Sequence, residues 1–265
     1  MTGRPAEPHA GETMFLCGMP IENVTLSEAL ARIDERIASG AGGYVVTPNV
    51  DHVCRFHRDP RFRRSCEESF LRLADGTPLI WASRLFGDPI KEKLSGSDLV
   101  YWLAEHAAAR GHSLFLLGAA EGVADAAAEK LQALYPGLRI AGTYSPPMGF
   151  DRDPATGAET QRLVKDSGAK LCYVALGAPK QEFWMQSAAR IPGMPVMLGI
   201  GASLDFIAGR ARRAPLILQK AGLEWFWRLC MEPRRLWRRY LIDDSYFLVL
   251  LFREALSIRA RRAGR

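Results

Sequence analysis

The sequence predicts an α/β protein: a Rossmann-like parallel sheet with flanking helices and a C-terminal helical appendage. Three observations carry that expectation. Apolar runs of strand length alternate with amphipathic runs of helix length. The run from Leu171 to Gly177 is apolar, as in a buried parallel strand, and breaks at Gly177 into Pro179-Lys180-Gln181-Glu182, which reads as the first turn of a helix. From Arg210 onward the composition changes, with 14 Lys+Arg against 5 Asp+Glu among many aromatic and aliphatic residues. The division that follows is a disordered lead over 1–13, an α/β domain over 14–209 and a basic amphipathic helical appendage over 210–265.

The elements follow in order. Met14 to Pro20 reads as a short strand. Thr25 and Glu28 form a capping box ahead of a helix to about Ser39, with Ala29, Ile33 and Ile37 as its apolar stripe. Tyr44-Val45-Val46 is a strand that Thr47-Pro48-Asn49 terminates; Asn49 suits the cap of the next helix, and Thr47 and Asn49 equally suit ligand contacts at a strand end. Asp75 stands at a turn after Leu71-Arg72-Leu73-Ala74, either as a helix cap or as a base at a cleft. Ser97-Asp98 caps a helix to about Arg110; Ser113–Gly118 is a strand, followed by an alanine-rich helix to Leu134; Leu138–Tyr144 is a strand. A Pro/Gly/Asp-rich loop over 145–156 and a helix from about Thr160 lead to the 171–177 strand. Pro195–Gly201 is the last strand, and Pro233 divides the tail into at least two helices.

Composition narrows the classes. A chain of 265 residues, 48% hydrophobic and 24% charged, can bury a large core. Five cysteines, an odd number without CxxC spacing, suggest a reduced, cytoplasmic compartment. The N-terminal stretch lacks the apolar core of a signal peptide, and no run reaches the ~18 apolar residues of a membrane span. The net charge of +6 divides into +9 on the tail and −3 on the rest, which points to an anionic partner, nucleic acid or a membrane surface. The tail lacks a nucleic-acid-binding motif and is rich in large aliphatics, which leaves a helix pair packed on the core and a membrane interface as equal readings, able to hold in different states.

Familiar sites are missing. Gly118-Ala119-Ala120-Glu121-Gly122 is not GxGxxG and no acidic residue ends the next strand, which argues against the rival reading of a nucleotide-binding oxidoreductase. Asp151-Arg152-Asp153 has the DxD form of metal-dependent sugar transferases but reads as a turn before Pro154. No zinc spacing, P-loop or GxSxG elbow is present, and His52 and His57 do not share a helical face.

Three signatures remain: TPNVDHV at 47–53, LADGTPLIWASRLFG at 73–87 and GAPKQEFWM at 177–185. With GASLDFIAGRARRAP at 201–215 and GLEWFWRL…EPRRLWRRY at 222–240, they closely resemble the WecG/TagA/CpsF glycosyltransferase family over nearly the whole chain from about Phe15 to Tyr240. The resemblance implies an inverting, metal-independent transfer from a UDP-sugar to a polyprenyl-diphosphate-linked glycan in surface polysaccharide synthesis, by an enzyme peripheral on the inner face of the cell membrane. No cofactor is implied, and a homo-oligomer is compatible. By resemblance Asp75 is the catalytic base, and Thr47, Asn49 and Gln181 are active-site residues. Lys93 stands where the family often has arginine, ahead of Gly96-Ser97-Asp98, and keeps the charge without the bidentate fork. A departing diphosphate needs cationic or helix N-terminal support, for which Lys180 and Lys93 are candidates. Gly177, Gly118, Gly201 and Ser203, at the ends of strands, complete the expected substrate-binding set.

Overall fold

The computed structural model describes residues 13–263. The lead expected over 1–13 lies outside the described residues, except Thr13, which opens the first strand. β1 (Thr13–Leu16) and β2 (Met19–Glu22) form an antiparallel hairpin where the sequence suggested one strand. Cys17 and Gly18 both take positive φ, 48° and 74°, and that pair reverses the chain in two residues. A buried ion pair between Glu22 and Arg72 ties the hairpin to the sheet.

The sheet has six strands, β3 (Gly43–Val46), β4 (Leu71–Arg72), β5 (Ser113–Gly118), β6 (Arg139–Tyr144), β7 (Leu171–Ala175) and β8 (Val196–Gly199). Their spatial order is β4-β3-β8-β7-β5-β6 and every pairing is parallel. The helices before, between and after them are α1 (Leu26–Ala38), α2 (Val50–Arg58), α3 (Pro60–Glu67), α4 (Thr77–Phe86), α5 (Gly96–Arg110), α6 (Val123–Leu134), α7 (Pro154–Asp166), α8 (Lys180–Ala188) and α9 (Ser203–Ala208). The capping box of α1 forms as expected, with Glu28 accepting from the Thr25 amide at 2.7 Å. α7 starts earlier than expected because Asp153 caps it and Pro154 fits its first turn. α5 starts at Gly96, with Ser95 rather than Ser97-Asp98 at the cap position, and the Ser95 hydroxyl donates to Asp98 at 2.6 Å.

Alternate strand residues face opposite helical layers, as a sheet covered on both sides requires. Val45, Leu114, Leu116, Tyr173 and Leu198 pack with α1, α5, α6 and α9. Tyr44, Val46, Phe115, Leu117, Val174 and Met197 pack with Val164 of α7 and Trp184 and Met185 of α8. A third cluster gathers the hairpin, α2, α3 and α4.

The tail runs through α10 (Leu216–Lys220), α11 (Glu224–Met231), α12 (Pro233–Arg238), a π-helical turn at Arg239–Asp243 and α13 (Tyr246–Ala263). Phe247 and Leu250 of α13 are buried in the third cluster, where each side chain contributes about 1.5–3 kcal/mol. The tail is therefore packed on the body, yet Phe226, Trp237, Leu248 and Phe252 stay exposed. No helix among the described residues is long and apolar enough to cross a membrane. All five cysteines are free.

Candidate active site

Because every sheet pairing is parallel, the loops after the strands open on one edge, where ligands of such folds bind. Thr47 and Asn49 follow β3, Asp75 follows β4, Gly118 ends β5, Gly177, Lys180 and Gln181 follow β7, and Gly201 and Ser203 follow β8. The Asp75 amide donates to Pro48 O at 2.7 Å, which sets the base candidate against the Thr47–Asn49 loop. The Leu94 amide donates to Ala74 O at 3.0 Å, which brings Lys93 alongside.

Asp75 does not cap α4. Gly76, at φ 101°, holds the cap position without a side-chain hydrogen bond. The Asp75 carboxyl has no hydrogen bond or ion pair among the described residues. Burial pushes it up to about 6; Glu224 adds to the rise, Lys93 and His52 draw it down, and Asp98 raises it slightly. An unpaired carboxyl whose pKa is raised toward neutrality at the ligand-binding edge of a parallel sheet is suited to taking a proton.

The other residues are more committed. Asn49 caps α2, its Oδ1 accepting from the His52 amide at 3.2 Å. The same oxygen lies 2.9 Å from His52 Nδ1, and His52 Nε2 lies 3.2 Å from Glu182 Oε1. Gln181, buried, donates through Nε2 to Glu182 Oε1 at 2.7 Å and accepts from the Gly201 amide at 3.1 Å. One chain of hydrogen bonds thus ties the loops after β3, β7 and β8. Thr47 is buried, and its Oγ1 donates to Gly199 O at 3.4 Å.

The expected substrate-binding residues divide. Gly118 is required by packing, since a Cβ there would stand 2.5 Å from Ala175 O. The Gly201 amide is spent on Gln181, and the Ser203 hydroxyl donates to Ile200 O at 2.7 Å. Gly177, at φ 75°, has open space where a side chain would be. Lys180 opens α8 and pairs with Asp151 at 3.1 Å, both partly exposed. Asp153 accepts from the Ala155 and Thr156 amides at the start of α7, so the two aspartates of the DxD triplet have separate structural partners. A cavity of about 650 Å³ opens at the ends of β5 and β6, lined by Ala119 to Glu121 and Thr143 to Met148; Asp75, Asn49 and Gln181 lie outside its lining.

The tail reaches this edge. Gly222 lies against Thr77, where a Cβ would come within 2.7 Å of Thr77 Cγ2. Arg213 bridges Asp98 at 2.7 Å and Glu224 at 3.2 Å. Arg239 approaches the buried Asp51 at 3.4 Å, and Arg55 pairs with the same carboxylate at 2.9 Å. Burial works to raise Asp51, but Arg239, Arg55 and His52 outweigh it and hold its carboxyl low.

The family model described as glycosyl transferase WecG/TagA/CpsF matches residues 14–261, body and tail together. The chain belongs to that family. It is 30% identical to the N-acetylglucosaminyldiphosphoundecaprenol N-acetyl-beta-D-mannosaminyltransferase of Bacillus spizizenii over 84% of each chain. The protein of that name from Bacillus subtilis is 28% identical over 92% of this chain and 93% of its own, and that from Staphylococcus aureus strain MW2 is 28% identical over 84% and 86%. In this family glycosyltransferase, sequence reasoning missed His52, Glu182, Arg213, Glu224 and Arg239. The spacing of Asn49 and His52, three apart across a helix start, was a readable signal for one of these contacts. The others join residues far apart in the chain.

Proposed function

We propose that this glycosyltransferase moves a sugar, with inversion, from a UDP-sugar to a glycan carried on polyprenyl diphosphate, with Asp75 as general base. The relatives' names specify an N-acetylmannosaminyl group and an N-acetylglucosaminyl-diphosphoundecaprenol acceptor, so these are the first donor and acceptor to try. The observation that carries the mechanism is the unpaired Asp75 carboxyl, pushed up to about 6 on the edge where the family's signature loops meet. In the reaction, Asp75 takes the proton of the acceptor hydroxyl as that oxygen attacks the anomeric carbon from the face opposite the leaving diphosphate. The bond to UDP breaks, and Lys93 with the N-terminus of α8 and Lys180 offsets the charge that develops on the diphosphate. Thr47, Asn49 and Gln181 shape the pocket around the sugar, Gln181 by fixing the Gly201 loop.

The capping role of Asp153 and the Asp151–Lys180 pair support a transfer that uses no metal at the DxD triplet. The inner membrane face is the expected place of action, reached through the basic, apolar surface of the tail together with the exposed Trp81 and Leu85 of α4. The test is UDP release with UDP-sugars and a lipid-diphosphate acceptor, with and without EDTA. Release that survives chelation is expected. Loss on chelation with rescue by manganese would overturn the metal-independent mechanism, and no release with any UDP-sugar would overturn the donor class.

A further inference from the structure

The chain of hydrogen bonds beneath the site fixes the orientation of each of its members. The backbone amide of His52 can only donate, so the Asn49 atom it meets at 3.2 Å is the carboxamide oxygen. His52 Nδ1, 2.9 Å from that oxygen, then carries a hydrogen and donates to it as well. Asn49 is held by two donors on one side, and its NH2 group faces the other way, without a partner among the described residues. Gln181 is fixed by the same logic: the Gly201 amide takes its oxygen, so its NH2 faces Glu182.

Glu182 closes the network. It is 1% exposed; its Oε1 accepts from Gln181 Nε2 and lies 3.2 Å from His52 Nε2. Its Oε2 is buried with no partner. Leaving half a carboxylate unsatisfied in the interior is costly. The cost is met at a point that links the loops after β3 and β7. His52 also packs edge-on against Phe62, at 5.4 Å between ring centroids, so its ring has little freedom to turn.

We propose that His52 and Glu182 are positioning residues that hold the Asn49 carboxamide with its NH2 turned toward substrate beside Asp75. This rests on the transferase reading of that edge. Neither residue touches the reacting atoms; Glu182 sets the His52 ring, and the ring sets Asn49. A free carboxamide rotates between two orientations, only one of which offers donors to a sugar or phosphate oxygen, and misplacement of about 1 Å at a reacting centre costs about 10²-fold.

The experiment is a mutant cycle on the full chain, read as kcat and KM for UDP-sugar in UDP release. Asn49→Ser keeps an oxygen to cap α2 but removes the NH2 group. His52→Phe combined with Glu182→Gln removes the ring nitrogens, keeps an aromatic ring and leaves no buried charge unpaired. Each change should lower kcat about 10- to 100-fold with a smaller effect on KM, and the triple variant should be no slower than Asn49→Ser alone. Thermal melting of each variant confirms a folded chain. If the losses multiply in the triple variant, or the paired change leaves kcat intact, the proposal is overturned. Full turnover in Asn49→Ser overturns it too, while wild-type UDP release separately reports whether the transferase reading stands.

Discussion

Asp75 is a carboxyl whose surroundings oppose its charge. Burial and the nearby Glu224 push it up to about 6, against the ordinary aspartate value of 3.8. If it is the base, kcat/KM should rise about tenfold per pH unit below that value and level off above it. Asp75→Asn should remove this limb and lower turnover ~10²-fold or more while donor binding persists. The effect on stability has the opposite sign. The folded chain keeps this proton to a higher pH than the unfolded chain, so stability falls as pH rises from 3.8 to about 6, and the full penalty stands above that. Asp75→Asn should therefore raise the melting midpoint more at pH 8 than at pH 4.5, with each kcal/mol recovered worth about 2–4 °C in a chain of this size. Calorimetry at the two pH values checks this; equal shifts would mean that the carboxylate is solvated in the folded protein.

At the scale of elements, the tail is fastened by few and specific contacts. Arg239 shares Asp51 with Arg55, so Arg239→Ala leaves the buried carboxylate one partner and should cost about 1–3 kcal/mol rather than the larger penalty of an orphaned charge. Limited trypsin digestion should then cut within 210–263 sooner, with the body unchanged; an unaltered cutting pattern would show that Phe247 and Leu250 suffice to hold the tail. Gly222→Val should act at the other contact. Its side chain would press on Thr77 from a φ of 72°, lifting α11 from the start of α4 and lowering turnover without unfolding the sheet, which circular dichroism beside UDP release would show. The parallel sheet was legible because strands buried on both faces leave continuous apolar runs, as at 171–175. The hairpin was not, since Cys17 gives no sign in sequence that it will take a positive φ. The docking of the tail was legible only as one of two equal readings, because arginines among aromatics look the same whether they face lipid or Asp51 and Asp98. Asp75 was legible as a turn residue; that it does not cap α4 was decided by Gly76 taking the cap position, and its surroundings come from residues 48, 93 and 224, far apart in the chain.

For the whole molecule, the membrane reading has a direct test. Exposed Trp81 and Leu85 on α4, with Leu248, Phe252 and Leu256 on α13, supply apolar side chains, and nearby arginines supply attraction of roughly 1 kcal/mol each at an anionic surface. The full chain should sediment with anionic vesicles at low salt and release at high salt, and truncation near Ala211 should weaken that binding. Equal sedimentation of both forms would place the contact on the body. The division of charge, +9 on the tail and −3 on the remainder, has a further effect before any contact is made. Such a molecule is an electric dipole, and the field of an anionic bilayer exerts a torque on it across the last Debye length, about 8 Å in physiological salt. At such a surface the acidic part would be turned away and the basic tail turned in. Because the tail lies against Thr77, two residues from Asp75, the same rotation would carry the candidate site's edge toward the surface. The protein would then arrive already oriented, and its search for a lipid-borne hydroxyl would become a lateral one, in two dimensions rather than three.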